Sequence, residues 1–349
     1  MLSRQSWHLS TESGPEQLPE VLWSHYGLKR PVRLDRPRKG YSSETWIASL
    51  PKGQRAVVRR YPTFFDETRV HFEHEVLRHL KQQIFPVPAI RPTVSGESFV
   101  HLDGRYYALF EYCQGRMVTR PLWRRLQPRM LAGAGHTLAR FHRVMDGFQP
   151  DGKTVVPHRD YRWFQGEVAR YHKLVSGRPR LSSFDRYVLE HGKDVERQLG
   201  RFGTVVEVAR AGCPQTVVHG DFGPTNVLFR NGQIVAVLDF ANVRHGPRVT
   251  DVAYALMAFS KWSRPRLHLA MARTFLKAYQ EQIPLTSKEL ELLPHLMIYN
   301  RLQGLWGALM QYYEKGLLKA AEWFVDTLEL VRWLQAHEAK IQNALSQCR

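Results

Sequence analysis

One stretch near the middle of the chain, residues 218–251, constrains the fold more than any other. It reads VHGDFGPTNVLFRNGQIVAVLDFANVRHGPRVTD. Two apolar runs in it are joined by Arg-Asn-Gly-Gln, and Asn-Gly between apolar runs is the strongest short signal for a β-hairpin. A hairpin here folds the chain back, so that Asp239 after the second run returns to Asn226 before the first. The stretch therefore predicts two polar side chains close together at the open end of a hairpin.

A third polar residue, Asp221, lies in the loop before the hairpin, five positions before Asn226. Mg²⁺ prefers oxygen ligands and keeps several of its waters, so we expect Asn226 and Asp239 to hold Mg²⁺ together with nucleotide phosphates. We expect Asp221 to orient a substrate hydroxyl and to accept its proton, while His219 braces the loop by hydrogen bonds. Pro224 restricts the backbone between Asp221 and Asn226. A surface hairpin flanked by unrelated acids does not explain this order of residues, which predicts phosphoryl transfer.

Composition allows several kinds of partner. The chain has 349 residues, enough for two domains that each have a core. Its formal net charge of +18 would attract polyanions such as nucleic acid or acidic membrane lipid. Lys and Arg are spread along the whole chain, which favours a solvated basic surface. The sequence has no helix-turn-helix, RNP or zinc signature, so we expect no specific nucleic-acid partner.

The three cysteines, Cys113, Cys213 and Cys348, lie far apart and lack C-x-x-C spacing. They therefore exclude the usual zinc and redox motifs and indicate reduced thiols. The N-terminal residues contain no apolar core of a signal peptide. No charge-free apolar run reaches the about 18 residues that a membrane span requires. We expect a cytoplasmic protein.

The order of patterns along the chain predicts an α+β region followed by a helical one. Residues 1–17 are polar and irregular, which indicates a loose N-terminal arm. Residues 18–112 read as a small α+β lobe, and residues 113–349 as a mainly helical lobe. The predicted helices and strands of the first lobe are 18–28, 47–50, 56–61, 68–82, 98–100 and 106–112. The helices predicted in the second lobe lie near 131–144, 160–176, 183–200, 252–261, 265–281, 287–314 and 317–344.

These motifs resemble the aminoglycoside phosphotransferase and choline kinase-like superfamily of small-molecule kinases, which includes homoserine kinase-like members. The resemblance covers about residues 18–315 and is strongest at HGDFGPTNVLF and VLDFANVRHGPRVTDVAYAL. Gly220 and Ala241 differ from the H-R-D and D-F-G motifs of protein kinases. The resemblance implies an α+β, protein kinase-like bilobal fold. Its N-lobe would be a five-stranded antiparallel sheet with a helix, its C-lobe larger and mainly helical, and ATP its phosphoryl donor.

The resemblance also implies nucleotide-binding residues. A hydroxyl-rich turn at residues 40–46 is similar to the family's phosphate-covering loop, although an ordinary hairpin would read the same way. The family often has Lys on the third strand, where this chain has Arg59, paired with Glu73 on the next helix; Arg60 is the alternative inward-facing residue. Glu111 and Tyr112 fall where the adenine-contacting hinge is expected. The implied nucleotide-binding residues are Gly40, Ser42, Ser43, Arg59, Glu73, Glu111 and Tyr112.

Three further residues receive structural roles. His142, in a Leu-Ala-Arg-Phe-His run, is similar to a family residue beside the catalytic loop, and we expect it to be structural. Thr250 and Asp251 precede a predicted helix, and we interpret them as helix caps.

The acceptor remains open at this point. An aminoglycoside would need several acidic residues, a choline-like acceptor an aromatic cage, and a homoserine-like acceptor a site for both an amine and a carboxylate. The residues of the C-lobe that could serve any of these are Trp262, Tyr299, Arg301, Trp306 and Glu314. The leading hypothesis is an ATP- and Mg²⁺-dependent kinase of a small hydroxyl compound. The alternative is a binding or structural protein that keeps the kinase fold without turnover. The choice between ATP and GTP and the oligomeric state are not determined by the sequence.

Overall fold

The computed structural model describes residues 18, 21–28, 33–36, 44–118, 126–150, 160–261 and 265–348. The chain divides into two compact units. Unit 1 comprises residues 1–78 and 88–113, and unit 2 comprises residues 79–87 and 114–349. An antiparallel sheet dominates unit 1 and helices dominate unit 2, which is the α+β fold class predicted from the sequence.

Unit 1 is built around one antiparallel sheet, with strand order β1-β2-β3-β6-β4 and β5 added beside β6. The sheet has six strands within the described residues, where the resemblance implied five. The three-residue β1 lies at the edge in a basic segment that contains two prolines, and prolines are tolerated beside edge strands. The strands are β1 Arg33–Asp35, β2 Glu44–Ser49, β3 Arg55–Arg60, β4 Ile90–Arg91, β5 Val100–Leu102 and β6 Arg105–Glu111, and the helix α1 is Glu67–Gln82.

One core cluster of unit 1 lies on one face of this sheet. Alternate residues of β2, β3 and β6 point to that face, as the two-residue period of a strand requires. They pack against a π-helical turn at Val21–His25, which ends before Gly27 at φ +62°. The buried side chains of this cluster include Val21, Leu22, Trp46, Ala48, Ala56, Val58, Tyr107 and Leu109.

Unit 2 contains eight helices within the described residues: α2 Pro128–Val144, α3 Tyr161–Ser176, α4 Ser183–Gly212, α5 Arg248–Ser260, α6 Leu269–Gln280, α7 Ser287–Tyr313, α8 Ala320–Ala336 and α9 Glu338–Ser346. Each predicted helix has a counterpart, although α4 continues beyond residue 200 and the final predicted helix is two helices interrupted at His337. Side-chain caps begin four of the described helices, and His268 caps α6 by accepting from the Met271 N–H. Asp160 caps α3, and capping boxes of Ser182 with Asp185 and Thr286 with Glu289 begin α4 and α7.

Unit 2 also contains short strands that frame one loop. They are β7 Arg116–Met117, β8 Gln215–Val218, β9 Val227–Arg230, β10 Gln233–Val237 and β11 Arg244–Pro247. The hairpin β9–β10 confirms the sequence prediction, whereas the addition of β7 to β9 and the pairing of β11 with β8 were not predicted. The loop between β8 and β9, residues 219–226, thus begins beside β11 and ends at the hairpin. We call it the Asp221 loop below.

The first turn of α5 is fixed to α7 by an ion pair. Arg248 Nε and Nη2 donate to the two carboxylate oxygens of Glu289 at 2.7 and 2.8 Å. Glu289 is also the N3 residue of the α7 capping box and is buried. Because this fork joins two rigid planar groups, it sets the position of α5 and of the side chains that α5 directs towards the Asp221 loop.

No helix in the described part of the chain combines the length and the apolar character that a membrane crossing needs. The three cysteines form no disulfide.

Candidate active site

The carboxylate of Asp251 lies beneath the start of the Asp221 loop. Its two oxygens accept hydrogen bonds from the backbone N–H groups of His219 and Gly220, at 2.6 and 2.7 Å. The N-cap of α5 is Pro247, and Thr250 Oγ1 donates to the Pro247 carbonyl. The prediction that Thr250 and Asp251 cap this helix is therefore wrong, because Asp251 binds backbone donors more than 30 residues earlier in the chain.

His142 extends this network to two more helices. Its Nε2 lies 3.2 Å from Asp251 Oδ2, and its Nδ1 lies 2.8 Å from the Tyr279 hydroxyl on α6. Burial by itself raises the pKa of Asp251, but the hydrogen bond and charge of His142, together with the backbone donors, outweigh burial and hold that pKa below its usual value. Asp251 is therefore an ionised acceptor that fixes the loop, and His142 is structural as predicted.

His219 braces the same loop from inside. The backbone N–H of Asp221 donates to its Nδ1 at 3.2 Å, and its Nε2 lies 3.1 Å from the Leu238 carbonyl. A ring that accepts at Nδ1 must carry its proton on Nε2, so His219 is a neutral donor to Leu238. Burial lowers the pKa of His219, which favours the same neutral form. The ring therefore ties the loop to the end of β10.

Gly220 adopts a conformation that other residues rarely adopt. Its φ is +79°. A Cβ at this position would lie 2.3 Å from Nη1 of Arg244 and 2.6 Å from the backbone carbonyl oxygen of Asn242. The backbone of β11 therefore passes too close for a side chain, and the loop requires glycine here.

Asp221 and Asn226 are in direct contact. Asn226 Nδ2 donates to both the backbone oxygen and Oδ2 of Asp221, each at 2.9 Å. The other carboxylate oxygen, Oδ1, accepts from the Tyr254 hydroxyl of α5. The structure therefore orients the two carboxylate oxygens of Asp221 towards different neighbours.

The pKa of Asp221 is raised to about 7. Burial is the largest cause, and the negative charge of Asp239 raises it further; the hydrogen bonds from Tyr254 and Asn226 and the charge of Arg301 act in the opposite direction. A carboxylate with this pKa is much more basic than an ordinary aspartate and is suited to accept a proton near neutral pH.

The hairpin brings Asp239 back to Asn226. Asn231 and Gly232 at its tip both have positive φ, as the favoured two-residue turn requires. At the other end Val227 pairs with Val237, and the Leu238 N–H donates to the Asn226 carbonyl at 2.8 Å. Asp239 follows at once, with φ +60°. The prediction that the hairpin returns Asp239 to Asn226 is borne out by the backbone.

Two oxygen donors here fit a divalent cation. Asn226 uses Nδ2 for both of its bonds to Asp221, so its Oδ1 remains as a ligand atom. The charge of Asp239 acts on Asp221, and a cation beside them would relieve this repulsion between carboxylates. Oxygen ligands are those that Mg²⁺ and Ca²⁺ prefer. The described residues contain no group of three or more His, Cys, Asp and Glu side chains suited to a metal. Asn226 and Asp239 are the residues here that could hold a cation.

Unit 1 contains the predicted pair on β3 and α1. Arg59 Nη1 lies 2.5 Å from Glu73 Oε1, and both side chains are buried. Arg60 instead donates to Glu44, its cross-strand neighbour on β2. Of the two arginines considered from the sequence, Arg59 is thus the one paired with Glu73.

The other residues of the predicted nucleotide set have separate environments. Glu111 Oε2 accepts from the Ala89 N–H at 3.2 Å at the end of β6. The Arg55 guanidinium lies 3.9 Å from the ring centroid of Tyr112. Gly40, Ser42 and Ser43 lie outside the described residues. Their roles in binding nucleotide stay predictions.

The five acceptor candidates are not equivalent. Arg301 is the one next to Asp221: its guanidinium lies 5.7 Å from the ring centroid of Tyr254 and interacts with the Tyr254 hydroxyl. Tyr299 accepts from Gln303, Trp306 donates to Glu167, and Glu314 accepts from Arg170 and Tyr171. Trp262 lies outside the described residues. Sequence reasoning missed Tyr254, whose only signal is its position one helical turn after Asp251.

Comparison with known proteins finds relatives that match most of the chain. The model of the phosphotransferase enzyme family, APH, matches residues 33–285. A homoserine kinase from Chelativorans sp. is 23% identical over 332 residues, which are 94% of this chain and 94% of that protein.

Solved structures show the same fold. A microcompartment-associated aminopropanol kinase superposes with a TM-score of 0.70 at 14% identity, over 94% of this chain and 98% of that one. An amicoumacin kinase in complex with AMP-PNP, Ca²⁺ and Ami superposes with a TM-score of 0.67 at 15% identity, over 92% and 94% of the two chains.

Proposed function

Because the chain belongs to the phosphotransferase enzyme family, we propose that it transfers the γ-phosphoryl group of ATP to a hydroxyl of a small molecule, with Mg²⁺ as the cation. The observation that carries this proposal is the environment of Asp221. One of its oxygens is held by Asn226, the other by Tyr254, and its pKa is raised to about 7. This is the environment of a proton acceptor rather than of a surface carboxylate.

In the proposed step the acceptor hydroxyl donates a hydrogen bond to Asp221. Its O–H bond breaks as the proton moves to the carboxylate, and a bond forms between the acceptor oxygen and the γ-phosphorus. The bond from the γ-phosphorus to the bridging oxygen breaks, and ADP leaves. Asn226 and Asp239 would hold Mg²⁺, which neutralises charge on the phosphates. The loop keeps its geometry because Asp251 binds two of its backbone N–H groups.

For unit 1 we propose that Arg59 binds nucleotide phosphate. An arginine is always charged and can pair with phosphate through two N–H groups. Glu73 fixes its guanidinium, since the pair is buried and 2.5 Å apart. Gly40, Ser42, Ser43, Glu111 and Tyr112 complete the proposed nucleotide-binding set.

The test is phosphorylation of an acceptor panel with Mg·ATP, followed by ³¹P NMR and mass spectrometry of the products. The panel contains amino alcohols, homoserine-like hydroxy acids and aminoglycosides. We expect a phosphate monoester from at least one class, and an Asp221→Asn rate about a thousandfold below wild type. Removal of divalent cations should abolish turnover.

Asp146→Asn is the matched control, because Asp146 is exposed in the same unit and should retain the wild-type rate. An Asp221→Asn variant as fast as wild type would show that another group accepts the proton. A complete lack of phosphoryl transfer, with Mg·ATP bound, would instead favour a binding protein with a kinase fold.

A further inference from the structure

The two carboxylate oxygens of Asp221 face different neighbours of the Asp221 loop. Oδ2 is held by Asn226, which we assign to the cation. Oδ1 accepts from Tyr254, and Tyr254 in turn contacts Arg301. An acceptor hydroxyl that donates to Asp221 at Oδ1 therefore brings its remaining atoms towards the side of the loop that contains Arg301.

Arg301 has bonding capacity that the described residues do not use. Its Nε is buried and has no hydrogen-bond partner among them. No described carboxylate forms an ion pair with it, although its charge acts on Asp221. A buried unpaired donor on a cation costs free energy. A ligand that accepts a hydrogen bond from this guanidinium would remove that cost.

A second guanidinium, that of Arg244, lies beside Gly220. Its Nη1 would be 2.3 Å from a Cβ on Gly220, the residue before Asp221. It donates to the Asn242 carbonyl at 3.0 Å, so most of its donors have no partner within the described part of the chain. The charge of Arg244 acts on Tyr299, two residues before Arg301 on α7. Both guanidiniums therefore lie near the stretch that contains Gly220 and Asp221.

We infer that the acceptor carries a carboxylate, which Arg244 and Arg301 bind while the acceptor hydroxyl contacts Asp221; this inference rests on the proposed function. A guanidinium pairs with a planar carboxylate through two parallel N–H groups. A polycationic acceptor would meet two positive side chains and be disfavoured.

Matched acceptor pairs test the inference. Each pair shares its hydroxyl chain and differs only in the carboxylate: 4-hydroxybutyrate against 4-hydroxybutyramide, and L-homoserine against its amide. Ethanolamine and kanamycin represent cationic acceptors. ADP release gives kcat/KM, and ligand-induced shifts in Tm of Asp221→Asn report binding without turnover. We expect a carboxylate to be preferred over its amide by about tenfold or more, and Arg301→Gln to bring this ratio of kcat/KM values close to one.

Two variants separate binding from folding. Arg301→Lys keeps the charge and should recover part of the lost kcat/KM, and Arg244→Gln should reduce carboxylate binding independently. Arg273→Gln removes one charge from an exposed position of α6 and should change nothing.

Amides or cationic acceptors that are phosphorylated as well as the carboxylates would overturn the inference while leaving the kinase assignment intact. Carboxylates that neither shift Tm nor turn over would also overturn it. Arginine-dependent Tm shifts by the carboxylates, without phosphorylation of any compound, would support this site and contradict the proposed function.

Discussion

Asp251 and Asp221 are carboxylates of the same unit, close to the same loop, yet their pKa values move in opposite directions. Asp251 lies under the loop and its pKa is lowered. Asp221 lies within the loop and its pKa is raised to about 7. Burial favours the protonated form of both. The difference therefore comes from the groups that surround each carboxylate.

The donors explain the contrast. Asp251 accepts from two backbone N–H groups, whose positions are fixed by the loop itself, and from His142. Asp221 accepts from two side chains and is close to a second negative charge, that of Asp239. One carboxylate is stabilised as an anion and holds structure. The other is left basic, which is suited to chemistry and unfavourable for stability.

The sharpest test of this contrast compares Asp251→Asn with Asp221→Asn in urea unfolding. Asn at residue 251 removes the charge that two backbone N–H groups bind and leaves an amide N–H facing one of them. We expect a loss of about 3 kcal/mol in the free energy of unfolding. Asp221→Asn should lose no unfolding free energy and should gain about 1 kcal/mol at neutral pH. The raised folded-state pKa of Asp221 destabilises the wild-type fold as pH rises above the pKa of the unfolded state.

Asp146→Asn again serves as the control for a charge lost from an exposed position. Equal unfolding free energies for Asp251→Asn and wild type would contradict a structural role for Asp251. A large loss in Asp221→Asn would show that both carboxylates hold the loop.

The sequence predicted the hairpin and the neighbourhood of Asn226 and Asp239 because their signals are local. Asn-Gly at the tip sets the turn, and the register then follows from the apolar runs. Periodicity located the helices for the same reason. The two strands around the loop, β8 and β11, could not be paired from the sequence, because their contact depends on tertiary folding of residues about 30 apart.

The environment of Asp221 was only partly predictable. Tyr254 is a tyrosine of α5 outside any motif, and Arg301 is one of five acceptor candidates. Helix packing brings both of them close to Asp221. Asp251 was assigned as a cap because an acid near a helix start often has that role. The Asp251 side chain instead accepts from the backbone N–H groups of His219 and Gly220. No local sequence pattern indicates this long-range contact.

A smaller effect is expected at Gly220, which lies between the two carboxylates. Its N–H donates to Asp251, and Asp221 is the next residue in the chain. Gly220→Ala places a Cβ 2.6 Å from a backbone oxygen at positive φ. We expect a loss of about 2 kcal/mol in unfolding free energy and a lower phosphorylation rate. Gly147→Ala has a similar φ of +71° with open space around the Cβ, so it should show only the backbone strain. Similar losses for both variants would mean that the close approach of β11 has no effect.

The smallest expected effect is a dependence of stability on pH in the range where histidines titrate. His219, the first residue of the loop, is neutral because burial lowers its pKa in the folded state. The unfolded state takes up a proton below about pH 6.5 while the folded state does not, so the histidine contribution to unfolding free energy should fall as pH decreases from about 6.5. The limiting slope is about 1.4 kcal/mol per pH unit for one such histidine.

His74 in unit 1 provides the comparison, since burial also lowers its pKa, well below the usual value. Its ring lies between the Tyr61 hydroxyl and Ser98 Oγ, at 2.9 Å from each. The raised pKa of Asp221 gives a pH dependence of opposite sign, so unfolding is measured in the Asp221→Asn background.

In that background, urea unfolding at pH 8, 7, 6 and 5 should show an unfolding free energy that decreases with decreasing pH. Both His74→Asn and His219→Asn should reduce the slope of this decrease. In the otherwise wild-type enzyme, His219→Asn should also lower the phosphorylation rate, because it frees the loop from the Leu238 carbonyl. If only this variant lowers the rate, the histidine of unit 1 serves stability and that of unit 2 serves both stability and the geometry around Asp221.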